Sequence, residues 1–105
     1  MKLTILKGIA NDFVHYLDSQ IRFGYFKDLS LPIDITVLEK KDSLSKLGVA
    51  FFKERLPSSF DFKRIEKINL QASKSNISNF LKIVVFITVD KKEFSVQGGS
   101  IMNES

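Results

Sequence analysis

Five apolar residues at every second position, Leu81, Ile83, Val85, Ile87 and Val89, constrain this chain's fold more than any other feature. Side chains two apart share one face of a strand, so the run makes a wholly apolar face. Asp90, Lys91 and Lys92 interrupt it, and Phe94 and Val96 resume the alternation. That pattern predicts a β-hairpin whose first arm is buried. A sheet with one greasy face requires a second layer packed on it.

The amino-terminal segment supplies that layer. Leu3, Leu6, Ala10, Phe13, Leu17 and Ile21 follow a three-four spacing across residues 3–23, with Ile9, Val14 and Tyr16 widening the stripe. The opposite side carries Thr4, Gly8, Asn11, His15, Asp18, Ser19 and Arg22, and Gly24 is placed to end the helix. A helix of 20 residues is about 30 Å long, enough to cross a whole sheet.

Between these two elements the pattern is weaker. Leu31 and Pro32 mark a turn, after which Ile33, Ile35 and Val37 alternate into a strand ending at residues 39–42. Residues 43–56 suit a helix through Leu44, Leu47, Phe51, Phe52 and Leu56, with Asp42 or Ser43 as cap and Pro57 past the end. Gly48 and Val49 fit a helix poorly, and Val49 and Phe51 also suit a strand, yet helix is the preferred reading. Ile68, Leu70 and Ala72 alternate with polar neighbours and predict a strand over residues 64–72. The expected fold is α+β, with a long first helix packed on an antiparallel sheet of four to five strands and a short second helix. Residues 1–97 form one domain, and residues 98–105 are expected to be a flexible tail.

Composition bounds the function classes. At 105 residues, folding removes roughly 65% of the unfolded chain's surface from water, enough for one core. No cysteine is present, which excludes disulfides and thiolate metal sites. Lys7 breaks the first apolar run too early for a secretory leader, and no run reaches a membrane span. A cytoplasmic location is expected. Basic residues exceed acidic ones by four, mostly in the second half, and the usage of Lys, Ile and Phe suggests an AT-rich bacterial, phage or mobile-element gene.

Catalytic signatures are sparse. Enzymes working near neutrality draw on His, Cys or paired carboxylates. His15 is the lone histidine, with Asp12, Asp18 and Ser19 at helical spacing around it, a pattern that an ordinary solvated helix face also shows. Gly98 and Gly99 lack the spacing of a phosphate loop, and the acidic residues lack that of a calcium loop. No enzyme activity, metal or cofactor is expected.

Two binding readings remain. The second face of the buried strand carries Phe80, Lys82, Val84, Phe86 and Thr88, half of it apolar where a solvent-facing sheet side is normally polar. Val84 and Phe86 therefore require cover, either by residues 43–56 or by another molecule, a protein partner or a homodimer mate. Tyr25 and Phe26, next to Phe23 and between Arg22 and Lys27, form a second aromatic cluster suited to an interface or to the end of the core. The leading expectation is a small non-catalytic protein-binding module of inhibitor, immunity or adaptor type, using Phe80, Lys82, Val84 and Phe86 with Tyr25 and Phe26. The alternative is a nucleic-acid-binding module over residues 53–67, where Arg55, Lys63, Arg64 and Lys67 accompany Phe60 and Phe62. Glu54, Asp61 and Glu66 dilute that patch.

Overall fold

A computed structural model describes residues 2–24, 31–75 and 80–101 and has the expected α+β architecture. Helix α1 (Lys2–Arg22) and helix α2 (Ser43–Arg55) accompany strands β1 (Ile33–Thr36), β2 (Ile65–Lys74), β3 (Phe80–Val89) and β4 (Lys92–Ile101). The four strands form one antiparallel sheet in the order β1-β2-β3-β4.

Helix α1 lies across β3 and β4. Leu6, Ala10, Phe13, Val14 and Leu17 are fully buried and meet Leu81, Ile83, Val85 and Ile87 in a single core. Each fully buried side chain of this size contributes about 1.5–3 kcal/mol relative to exposure. The predicted stripe is too wide at its edges: Leu3 and Tyr16 are exposed. Gly24, with φ 77°, donates its N–H to the Ile21 carbonyl and ends the helix.

The tie at residues 43–56 resolves as helix. Asp42 caps it: Ser45 N–H donates to Asp42 Oδ1 at 2.7 Å, and the Asp42 N–H donates back to Ser45 Oγ at 3.1 Å. This reciprocal box satisfies two donors that a helix start otherwise leaves unmade. It also provides partners for Ser45, a buried polar residue. Gly48 fits because α2 presses there on Val37, and an added Cβ would lie 2.5 Å from Val37 Cγ1.

Helix α2 packs on α1 and on the short 3-10 turn Val37–Glu39, with the Phe13 ring 5.1 Å from Phe51 and 5.6 Å from Phe52. Both helices therefore sit on one side of the sheet. The expectation that residues 43–56 cover Val84 and Phe86 is not met, because α2 is held by Phe13 and Val37 on the opposite side.

Two boundaries also move. The predicted strand through Val37 stops at Thr36, and Val37 turns into the core as part of the 3-10 turn. The expected tail from residue 98 is instead sheet as far as Ile101, paired opposite Phe80. Gly98 passes directly beneath α1, where a Cβ would come within 2.8 Å of Val14 Cγ1. A close helix-to-strand approach explains this glycine better than fraying does. Residues 102–105 lie outside the described residues.

Candidate functional site

Strict alternation divides β3 between two environments. Leu81, Ile83, Val85, Ile87 and Val89 point into the core, while Phe80, Val84, Phe86 and Thr88 are half-buried and Lys82 is exposed on the other face. Phe86 sits between Asn69 of β2 and Ser95 of β4, and Val84 between Gln71 and Gln97. Lys82 sits between Ser73 and Gly99, beside a shallow cleft of about 290 Å3 that Phe80 and Gln97 help to line. No helix or strand among the described residues lies over this face.

The flank toward β1 is polar and cross-linked. Asn69 Nδ2 donates to Asp34 Oδ1 and to the Ile35 carbonyl, both at 3.0 Å, and Gln71 Nε2 donates to Asp34 Oδ2 at 3.3 Å. The Val84–Phe86 strip thus lies between a fixed amide-carboxylate patch and the polar side chains of Ser95 and Gln97 on β4. Sequence reasoning missed this frame, since it exists only once β1 and β2 pair in register. The alternation of Asn69 and Gln71 with Ile68 and Leu70 was its only local trace.

Tyr25 and Phe26, the other two rings assigned to the partner surface, lie outside the described residues. Phe23, the first ring of that cluster, is 73% exposed and does not plug the core.

The basic segment does not assemble into one surface. Phe60 is buried in the core. The Arg55 guanidinium lies over Phe51, 3.5 Å from the ring centroid, and donates to the Phe51 carbonyl. Lys53 sits 5.1 Å over the half-buried Phe62 ring. Arg64 grips Asp90 with two hydrogen bonds from Nε and Nη2. Those bonds raise the guanidinium's pKa above its ordinary value; desolvation opposes this, and the charges of Asp90 and Asp61 add to it. Lys63 is exposed near Asp61, while Lys67 lies across the sheet on the open face, paired with Thr88.

His15 is exposed on α1, and nearby Asp18 takes an ion pair from Arg22 at 2.7 Å. No cluster of three His, Cys, Asp or Glu side chains suited to a metal occurs among the described residues. A cleft of about 200 Å3 at the start of α1 is floored by Leu3, Leu6, Phe60 and Val89 and rimmed by Arg64, Asp90 and Lys92. Among the described residues, no helix is long and apolar enough to cross a membrane.

No protein-family model, curated protein or solved structure matches the chain.

Proposed function

We propose that this chain is a small non-catalytic module that docks on another protein in the cytoplasm, as inhibitors, immunity factors and adaptors do. The observation that carries this reading is the half-buried Val84–Phe86 strip, with no lid among the described residues and both core layers on the far side of the sheet. An aromatic and an aliphatic side chain inside a polar frame form the pattern of an interface centre with its rim. Covering Phe86 completely would add up to about 2 kcal/mol of apolar burial, a useful anchor for a transient or stable complex. Lys82 at one end of the strip and Lys67 near the other favour a partner surface with carboxylates at matching positions.

The test is recovery of the partner from source cells with tagged wild type and with Phe86→Asp. The variant is expected to keep the wild-type circular dichroism and melting curve while losing the partner. Recovery of the same partner by folded Phe86→Asp defeats the reading. An unfolded variant would instead place Phe86 in the core and remove this site.

A further inference from the structure

The two edges of the sheet are built differently. Edge strand β1 has four residues, follows Pro32 and breaks into a 3-10 turn. Short length, a preceding proline and an abrupt end are devices that blunt an edge against pairing. Strand β4 has none of them. It runs for ten residues in unbroken register with β3, and from Phe94 to Ile101 it contains no charged residue and no proline.

Its outward backbone groups follow from the turn. Asp90 and Lys91 form a two-residue hairpin loop, so Val89 and Lys92 make the first hydrogen-bonded pair. Alternation then points the N–H and C=O of Glu93, Ser95, Gln97 and Gly99 away from β3, toward a position that no described strand occupies.

We propose that this edge pairs with the same edge of a second copy, antiparallel about a twofold axis at Val96, to give a continuous eight-stranded sheet. The sequence of β4 is self-complementary in that register. Ser95 faces Gln97 of the second copy, and Glu93 faces Gly99, as the outward hydrogen-bonded pairs. Lys92 and Glu93, the strand's only charges, fall opposite Ser100 and Gly99, so no like charges meet. Phe94 falls opposite Gly98 in a closely spaced pair, so no second large side chain competes with the ring at that position. Moving the axis to Glu93 would set glutamate against glutamate, and this repulsion disfavours that register. The edge pairs through outward backbone groups, whereas the neighbouring Val84–Phe86 strip docks through side chains, so self-association of the purified chain and capture of a partner are read separately.

Sedimentation equilibrium from 5 to 200 µM, with Ser95→Pro and the double variant Ser95→Lys/Gln97→Lys, tests the inference. Wild type is expected to reach twice the 12.0 kDa chain mass. Ser95→Pro removes an outward donor that β3 does not use and is expected to weaken self-association at least tenfold. If Ser95→Pro fails to fold, the double lysine variant decides, since it sets like charges opposite each other across the axis. Slow amide exchange at Ser95 and Gln97 in wild type, lost at residue 97 in Ser95→Pro and at both positions in the double variant, is the second expected readout. A wild type that stays monomeric at 200 µM overturns the inference, as does a dimer that survives in a folded variant. Strand addition by a different protein to monomeric wild type would also overturn it.

Discussion

Gly48 of α2 rests against Val37 so closely that the Cβ of any other residue would lie 2.5 Å from Val37 Cγ1. Valine is stiff at χ1 and buried here, so it cannot swing aside at low cost.

Gly48→Ala is therefore expected to destabilise, although alanine is the better helix former. Overpacking costs about 1–3 kcal/mol, against about 1 kcal/mol gained in helix propensity. The net loss should lower the melting temperature by about 5–10 °C. Adding Val37→Ala opens the space, so the double variant should lose less than the two single losses combined. Additive losses in chemical denaturation would contradict the packing argument.

The hairpin loop suggests the opposite experiment. Asp90 and Lys91 both adopt left-handed backbone angles, with φ of 49° and 67°. A side chain in that region costs about 1 kcal/mol, whereas glycine adopts it freely. Lys91→Gly keeps the N–H that donates to Glu66 Oε1 at 2.8 Å. It should raise stability by roughly 0.5–1 kcal/mol, read as a higher urea midpoint at unchanged slope.

Adjacent residues of β3 should respond in opposite ways to one substitution. Val85→Lys drives an ammonium group into the fully buried core and should cost more than about 4 kcal/mol, leaving little folded protein. Val84→Lys points to the open face and should cost less than about 1 kcal/mol. Melting curves of the two variants that coincide would show that the faces are not distinct.

Nucleic-acid binding, where it occurs, should be weak and salt-sensitive. Arg55 is spread on Phe51, Arg64 is tied to Asp90, Phe60 is inside the core and Lys67 is on the other face of the sheet. Few phosphates can then be met at once, so mobility shifts with single-stranded or duplex probes should vanish by about 150 mM salt. A shift that persists there would revive residues 53–67 as the working surface.

Periodicity made α1 and the β3–β4 hairpin legible, because each repeats one physical rule over many residues. The ambiguity at residues 43–56 came from Gly48, whose reason is Val37, a contact across space that no local pattern records. The carboxyl-terminal glycines misled in the same way: Gly98 reads as a loose end until Val14 is seen above it. At the candidate site, the surplus apolar character of Val84 and Phe86 was visible in the strand itself. The frame around them was not, since Asp34 and Asn69 meet only through pairing of distant strands. The scatter of the basic segment has a related cause. Charge and aromatic content were read correctly, but Phe60 turned inward and Arg64 found an acidic mate in the hairpin loop.

Placing both helices on the same side of the sheet separates two kinds of selection along a single strand. Odd-numbered residues of β3 answer to folding, while even-numbered ones are left outside the core. If the docking proposed for this face holds, affinity can drift by steps of one side chain, from Phe86 to Val84 to Lys82, without reopening the interior. On that reading, a lineage carrying this scaffold changes its target while keeping its melting point.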